Sequence, residues 1–461
     1  MPDEPSDLDR PYLAGALIPP AAMTPAQRKR ARRNEFSRIP PGAYEDLLRP
    51  RASLIGRFLM VNDPVGVKRV LVDNVANYPK RALERRFFSM AFGDGLIGSE
   101  GDLWRAHRRT MAPAFDPRSV AAYAPAMTAT AEAFRARWDA LAPGAVVDIA
   151  DEMTALTLQI ISRTMFSTDS DEIMTLVDET LRRAHASLNI GLLDLIPLLA
   201  PSRDRRRSAA IAAVVAELDR AVEKLIGERE RAPDAHPVDL LARLVAAKDR
   251  ETGARLTARE VRDEVVTIFV AGHETTAMAL TWAWYLLAMH PQAQARLQAE
   301  IDAVVGGRPA VHADLAGLAY TRNVMDEAMR LYPPVPGLSG RQAIADDVVC
   351  GRRVAAGTTM IISPFVLHRH RKLWDDPERF DPDRFSPERS AGRSRFAYLP
   401  FGAGQRVCIG AALATDETML ILAALASRHH LALVPGQDID LQQRVTLRPR
   451  AGMKMTVTPR A

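Results

Sequence analysis

The sequence predicts a mainly α-helical protein with small β-sheets. Apolar residues recur at helical spacing from about Val120 to His290, with few strand-like alternations. After Arg341 the pattern changes to short β-branched pieces separated by glycine turns. Of the 461 residues, 47% are hydrophobic and 25% are charged, which is typical of a globular chain with a large core.

The first 60 residues are rich in proline and show no sustained periodicity, so residues 1–60 are predicted to be an irregular segment. Asp63 and Pro64 then predict a short helix, with Asp63 as its N-cap. Acidic residues stand where a signal peptide carries basic ones, and Pro19 and Pro20 break the short apolar run. We therefore expect a cytoplasmic protein.

Charge and cysteine content exclude several classes of protein. The two cysteines, Cys350 and Cys408, indicate a reducing compartment and no disulfide framework. The net charge is +5, and residues 28–33 contribute a local basic run. Such a run is a solvated face or a contact for an acidic partner protein. No nucleic-acid-binding signature accompanies it, so no nucleic-acid partner is expected.

The longest predicted helix begins near Thr257, where Thr257 and Glu260 form a capping box, and stops at Pro291. At ~1.5 Å per residue it is about 50 Å long, and its apolar surface on all sides predicts burial. The stretch AGHETT (271–276) interrupts this surface. A buried Glu274 is costly unless it has a partner or a function. A threonine bonding back to a carbonyl, with Glu274 paired to a base, is the structural alternative.

A ten-residue stretch, FGAGQRVCIG (401–410), combines three glycines, an arginine and a cysteine. A dinucleotide fingerprint needs glycine at position 407, which is valine, and a P-loop needs Gly-Lys-Ser/Thr, so both phosphate-binding motifs are excluded. Structural zinc needs further Cys or His ligands at short spacing. A Cys–His nucleophile stays open, as does a thiolate ligand to a metal that is carried inside a cofactor.

The cofactor interpretation accounts for more of the stretch. The apolar run after Cys408 predicts a helix that begins just beyond it, and the positive end of that helix would stabilise a thiolate. Gly402, Gly404 and Gly410 let the backbone approach a flat ligand. Arg406 is suited to pair with a carboxylate on that ligand. Haem iron held by a cysteine thiolate fits all of these features.

The pattern Phe401-x-x-Gly404-x-Arg406-x-Cys408-x-Gly410 resembles the haem-binding signature of the cytochrome P450 family. The sequence looks closest to soluble bacterial haem-thiolate monooxygenases that are similar to the microsomal branch. The resemblance implies the cytochrome P450 fold over residues 61–461. This is a single triangular domain with haem b buried between a long central helix and the cysteine-loop helix.

Further motifs follow in the order that the family has them. Glu327 and Arg330 alone predict only a surface ion pair at i, i+3. With Arg384 of FDPDRF they resemble the Glu–Arg–Arg cluster that holds the haem-side core, which is a structural role. Trp104 and Arg108 resemble the WxxxR helix, and lie one turn apart so that both can face one haem propionate.

The resemblance implies that ten residues contact the haem. One of them, Gly272, is expected to make room beside the iron. His107 is read as a neighbour of the propionate site without a role of its own. The ten are Cys408 as axial ligand, Arg406, Arg341, Trp104 and Arg108 for the propionates, and Phe401, Gly402, Gly410, Ala271 and Gly272 around the ring.

The resemblance also implies an activity. A haem-thiolate monooxygenase inserts one oxygen atom of O2 into a lipophilic small molecule, most often at a C–H bond. Thr275 is assigned the hydrogen bond to dioxygen, and Glu274 the gate for proton delivery. The sequence carries no flavin or iron–sulfur signature, so a separate ferredoxin or flavodoxin-type electron donor is expected. A basic chain attracts such acidic proteins. A monomer without an integral membrane segment is expected.

Family position also assigns a substrate pocket, although plain core packing explains its residues equally well. It takes in a loop around 85–90 and the segment 189–198, which contributes Ile190, Leu192 and Leu193. Its apolar character favours a fatty acid, a terpenoid or an aromatic compound. The remaining pocket residues are Phe87, Phe88, Val270, Ala271, Val335, Leu338, Val445 and Thr446.

Two other functions are compatible with the haem motif. A peroxygenase would use hydrogen peroxide, but the Glu274–Thr275 pair argues against it because peroxide brings its own protons. A haem-binding sensor without turnover has no use for a proton-delivery pair.

Overall fold

The computed structural model describes Phe36, residues 39–53, residues 56–167, and residues 239–460 except 438 and 444. Between 216 and 231 it describes only some of the residues. The chain divides into two compact units. The first comprises Met1–Arg81, Met127–Leu156 and Thr275–Ala461, and the second comprises Ala82–Ala126 and Thr157–Glu274. Within the described residues, no helix combines the length and apolarity needed to cross a bilayer.

Most of the described residues are helical. The helices are α1 (Pro64–Lys68), α2 (Ala82–Phe92), α3 (Gly101–Met111), α4 (Pro117–Asp139), α5 (Ile149–Phe166), α6 (Leu240–Ala246), α7 (Ala258–Met289), α8 (Pro291–Val305), α9 (Ala319–Leu331), α10 (Pro364–Leu367), α11 (Pro387–Ser390) and α12 (Ala411–Ala426). The mainly α class predicted from the sequence is confirmed.

The strands are short and form four small sheets. They are β1 (Leu48–Ser53), β2 (Gly56–Val61), β3 (Ala145–Asp148), β4 (Arg341–Gln342), β5 (Asp347–Val349), β6 (Arg352–Val354), β7 (Thr359–Ile361), β8 (His429–Leu433), β9 (Leu441–Gln443), β10 (Leu447–Pro449) and β11 (Lys454–Pro459). The strand orders are β1-β2-β7-β4, β3-β11-β8, β10-β9 and β5-β6. Among the strands of the described residues, β2 and β7 pair in parallel and the other pairings are antiparallel.

The helix boundaries predicted from capping residues are confirmed. The Asp63 side chain accepts a hydrogen bond from the amide of Val65 at the start of α1. Thr257 and Glu260 exchange backbone-to-side-chain hydrogen bonds of 2.8 and 3.3 Å before α7. The structure adds a cap at the end of α8, where Gly306 adopts the left-handed conformation with φ of 65°. Between residues 261 and 287, α7 is buried on almost every side, as its composition predicts.

Three stretches differ from their predictions. Residues 48–53 and most of β2 form strands inside the segment read as irregular, because they pair with each other and with β7. Strand β3 lies within the stretch read as helical, because β11 supplies its partner. The predicted loop around 85–90 is part of helix α2, since residues 82–92 contain no proline or glycine and are mostly good helix formers.

Helix α9, which carries Glu327 and Arg330, is fixed at its start by a carboxylate from α8. The two oxygens of Glu300 accept hydrogen bonds from the backbone amides of Tyr320 and Thr321 at 2.6 and 2.7 Å. A negative charge at a helix N-terminus satisfies unpaired amides and complements the helix dipole. The Glu300 side chain thus ties the start of α9 to α8.

Candidate active site

The cysteine loop closes on itself before α12. The amide of Cys408 donates to the carbonyl of Phe401 at 2.9 Å, and the amide of Val407 donates to the carbonyl of Gly404 at 3.1 Å. A single 3-10 turn from Gly404 to Arg406 lies between them. Helix α12 starts at Ala411, with Gly410 as its N-cap. The thiol of Cys408 is exposed, and its residue lies just before the positive end of a sixteen-residue helix.

The three glycines of this loop differ in backbone conformation and in the space around them. Gly402 and Gly404 adopt φ of 73° and 72°, which is the left-handed region. A Cβ atom on Gly404 would lie 2.1 Å from the carbonyl oxygen of Leu71. Gly404 therefore makes a close backbone-to-backbone approach to Leu71, and its predicted approach to a flat ligand stays a prediction. Gly410 has an ordinary φ of −88°.

The second cysteine, Cys350, is also exposed, but a carboxylate lies beside its thiol. Cys350 lies in the turn between β5 and β6, where Asp63 is a hydrogen-bond partner of its thiol. Burial and then the charge of Asp63 raise the pKa of this thiol from 9.0 to about 11. A thiol held neutral beside a carboxylate is a poor metal ligand, because the thiolate is the coordinating form.

Glu327, Arg330 and Arg384 meet in the core of the first unit. Two nitrogens of Arg330 lie 2.6 and 2.8 Å from the two carboxylate oxygens of Glu327, and Nε of Arg384 lies 3.4 Å from Oε1. Remaining guanidinium nitrogens donate to the carbonyls of His368 and Asp375 at 2.9 and 2.5 Å. The cluster thus pins the irregular chain that leads to the cysteine loop, and the alternative of a surface ion pair does not apply.

The proline turn after α9 brings Arg341 into the four-stranded sheet. The amide of Leu338 donates to the carbonyl of Ile362 at 3.0 Å, and Arg341 begins β4, which pairs with β7. The Arg341 residue is buried. Leu338 packs on the core cluster of this unit and lies near Gly402, where a Cβ atom would contact it at 4.0 Å. Arg341, Leu338 and the cysteine loop therefore belong to one compact unit.

Helix α3 of the second unit carries Trp104 and Arg108 one turn apart. Trp104 is buried and Arg108 is half-buried. Between them, His107 is buried and hydrogen-bonded to Glu264 of α7, with Nδ1 of His107 2.7 Å from Oε1. Reading His107 as a mere neighbour missed this pair. The signal available in the sequence was the two adjacent acidic residues, Asp263 and Glu264, at the start of an otherwise apolar run.

The AGHETT stretch lies in the middle of α7, in a continuous helix. Glu274 is buried and Thr275, the next residue, is half-buried. A Cβ atom on Gly272 would lie 2.4 Å from Cδ1 of Ile161, so the missing side chain lets α5 pack closely on α7. The carbonyl of His273 accepts a hydrogen bond of 3.0 Å from Thr157. Gly272 thus has a packing reason beside any role near a cofactor.

The residues assigned to the substrate pocket are spread over several elements. Val335 is exposed, Leu338, Val445 and Phe88 are half-buried, and Val270 and Thr446 are buried. Phe87 and Phe88 lie on helix α2 instead of a loop. The segment 189–198, with Ile190, Leu192 and Leu193, lies outside the described residues.

The donor set fits a metal that is carried inside a cofactor. Among the described residues, no group of three or more His, Cys, Asp or Glu side chains is arranged to hold a metal ion. Cys408 offers one exposed sulfur at a helix N-terminus instead. A single thiolate is the protein ligand that an iron carried by a porphyrin would take here.

Comparison with known proteins identifies the relatives of the chain. The family model for cytochrome P450 matches residues 56–457. Cyclooctatin synthase of Streptomyces melanosporofaciens is 38% identical over 403 residues, which cover 86% of this chain and 83% of that protein. Cyclooctat-9-en-7-ol 5-monooxygenase of the same organism is 39% identical, with coverage of 75% and 74%. The haem domain of cytochrome P450DA superposes with a TM-score of 0.80 at 28% identity, covering 90% of both chains.

Proposed function

Because the chain belongs to the cytochrome P450 family, we propose that Cys408 is the thiolate ligand of its haem. The family fold, a haem with cysteine-thiolate ligation and monooxygenase activity follow from that membership. The contrast between the two cysteines is the observation that supports Cys408. Both cysteines are exposed, but Cys408 lies at the N-terminus of α12, whereas partial desolvation and the Asp63 carboxylate raise the pKa of the Cys350 thiol and keep it neutral.

The remaining haem contacts are part of the same proposal. Arg406 and Arg341 lie in the unit that carries Cys408, and Trp104 and Arg108 lie on α3. Arginine and the indole N–H of tryptophan are donors suited to a propionate carboxylate. Phe401, Gly402, Gly410, Ala271 and Gly272 are proposed as backbone or apolar contacts of the ring.

Glu274 and Thr275 are proposed to deliver protons. Haem, when bound, supplies the reductive activation of dioxygen and the transfer of one oxygen atom to substrate. The chain contributes a hydroxyl from Thr275 and a carboxyl from the adjacent Glu274, both in the middle of an apolar helix. A half-buried hydroxyl beside a buried carboxyl is suited to pass protons to a bound oxygen ligand.

A cyclic terpenoid is the proposed substrate class. The two relatives at 38% and 39% identity carry names that refer to the cyclooctatin skeleton, and one name specifies oxygenation of an alkenol at position 5. The described residues assigned to the pocket are mostly apolar, as a site for such a skeleton requires. The substrate and a redox partner are required by the family reaction. A ferredoxin or flavodoxin-type donor, a monomeric state and a cytoplasmic location are proposed with it.

The reduced carbon-monoxide spectrum tests the ligand assignment. Cys408→Ser is expected to abolish the thiolate-type Soret band, and Cys350→Ser is expected to leave it in place. A thiolate-type band in the Cys408→Ser variant would contradict the proposal. Activity with peroxide alone, and none with an electron-donor system, would instead identify a peroxygenase.

The substrate class has its own test. Cyclic terpenes and terpene alcohols are expected to convert the ferric enzyme toward the high-spin spectrum at lower concentration than fatty acids of similar size. Stronger conversion by fatty acids would overturn the terpenoid assignment while leaving the haem assignment intact.

A further inference from the structure

A buried ion pair links helix α3 to helix α7. Nδ1 of His107 lies 2.7 Å from Oε1 of Glu264, and Nε2 lies 3.3 Å from Oε1 of Glu260. The side chains of His107 and Glu264 are 2% and 0% exposed. Both ring nitrogens therefore face carboxylate oxygens, and a ring that donates from both nitrogens is the charged imidazolium.

Glu264 and the adjacent Asp263 also hold the loop that precedes α3. The second oxygen of Glu264 accepts from the amide of Leu96 at 3.1 Å, and Oδ2 of Asp263 accepts from the amide of Asp94 at 2.9 Å. A Cβ atom on Gly95 would lie 2.2 Å from Oγ1 of Thr267. The loop thus packs so closely against α7 that a side chain at position 95 would collide with Thr267. Helix α7 therefore contacts both the loop that leads into α3 and the second turn of α3.

A buried ion pair is an expensive way to hold two helices together. Removing both charges from water carries a large desolvation penalty, and apolar side chains of similar size often stabilise a fold as well. Burial lowers the pKa of His107, but the hydrogen bonds and charges of Glu264 and Glu260 outweigh it, and the pKa is raised overall. The pair is therefore maintained as an ion pair with fixed geometry, which an apolar contact would not provide.

We propose that His107 and Glu264 are positioning residues that fix the rotation of α3, so that Trp104 and Arg108 meet a haem propionate. This inference rests on the proposed assignment of those two residues to the propionate. His107 directly precedes Arg108 and lies three residues after Trp104, on an adjacent part of the helix surface. Rotation of α3 about its axis would move both proposed donors together.

Haem transfer from the holoprotein to excess apomyoglobin tests the proposal. His107→Leu and Glu264→Leu are expected to release haem about tenfold faster, which is the usual effect of losing a residue that orients a ligand-binding side chain. The resonance Raman band of propionate bending is expected to shift with them. Glu264→Gln is the conservative variant, because its amide can accept from Leu96 and donate to a neutral His107. This variant is expected to keep the rate of haem release and the position of the propionate band close to those of the unmodified protein.

Two further variants keep the test decisive. Arg105→Ala is the matched control on α3, because Arg105 forms an exposed ion pair with Asp102 and no other ion pair among the described residues, and it is expected to change neither readout. The double variant His107→Leu/Glu264→Leu leaves no unpaired buried charge, so it is expected to fold even if a single variant does not. It is still expected to release haem faster and to shift the propionate band.

The proposal is overturned if the double variant retains haem normally with an unshifted propionate band, while Arg108→Ala releases haem faster. In that case the pair is a structural contact and the assignment of Arg108 stands. If Trp104→Ala and Arg108→Ala also retain haem normally, the propionate assignment itself is wrong, and the inference falls with it.

Discussion

The carboxylate of Glu327 and the guanidinium of Arg330 form a two-point ion pair, with nitrogen–oxygen distances of 2.6 and 2.8 Å and 0% exposure of both side chains. Glu327 also accepts a hydrogen bond of 2.9 Å from the amide of Asp381. The pair therefore connects α9 to the irregular chain that precedes the cysteine loop. Because both side chains are buried and hydrogen-bonded, replacing either one alone would leave the other as a buried charge without its partner.

Glu327→Gln is expected to lower the free energy of unfolding by about 3–5 kcal/mol, because two arginines are left with an uncompensated buried charge. Arg353→Gln is the control, since Arg353 is 83% exposed in its pair with Asp346. That variant is expected to lose about 0–1 kcal/mol. Urea unfolding followed by circular dichroism measures both. Equal small losses in the two variants would contradict the structural role of the cluster.

Gly404→Ala is expected to destabilise the protein more than Gly436→Ala. Both glycines have positive φ, 72° and 78°, so alanine at either costs about 1–2 kcal/mol in backbone strain. Only at Gly404 does the added Cβ atom also meet a backbone oxygen, that of Leu71. At Gly436 the space is open. Thermal unfolding midpoints compare the variants, and equal shifts would mean that the contact with Leu71 has no energetic effect.

Asp347→Asn is expected to flatten the acid side of the stability profile. Arg69 binds the carboxylate at 2.7 and 3.2 Å, and Tyr78 donates to it at 2.7 Å. The hydrogen bond from Arg69 holds the pKa of Asp347 well below its ordinary value of 3.8. The stabilisation is therefore present above the ordinary value and lost as the pH falls toward the folded pKa.

Urea unfolding at pH values between 3 and 7 measures this effect. The difference between the unmodified protein and Asp347→Asn should be largest near pH 7 and shrink as the pH falls. A difference that stays constant with pH would show that the asparagine acts through packing alone.

Glu417→Gln is expected to stabilise the protein above neutral pH. The side chain of Glu417 is buried in α12, its Oε1 has no hydrogen-bond partner among the described residues, and burial raises its pKa from 4.5 to about 8. Between these values the folded state binds more protons than the unfolded state, so the free energy of unfolding falls as the pH rises. Glutamine removes that dependence. Parallel stability profiles of the two proteins from pH 5 to 9 would contradict the prediction.

Thr275→Val is expected to reduce the product formed per dioxygen consumed, with a fall in product formation of about a hundredfold, the lower range for loss of a proton-transfer group. Thr281→Val is the control on the same helix, because the Thr281 hydroxyl only bonds back to the carbonyl of Ala277 at 2.7 Å. Oxygen uptake and product yield measure the ratio. Equal ratios in both variants would remove Thr275 from proton delivery.

The sequence by itself determined the fold class, the family and the boundaries of the long helix. Those features rest on local chemistry: periodicity, a capping box at Thr257, a proline at 291 and a ten-residue signature. Tertiary structure alone decided that residues 48–53 form a strand, since β2 supplies their partner. It also decided that Gly404 faces Leu71, and that His107 belongs to Glu264, 157 residues away in the chain. Pairing between residues so far apart in the chain depends on how the elements pack, and a local sequence pattern does not specify that packing.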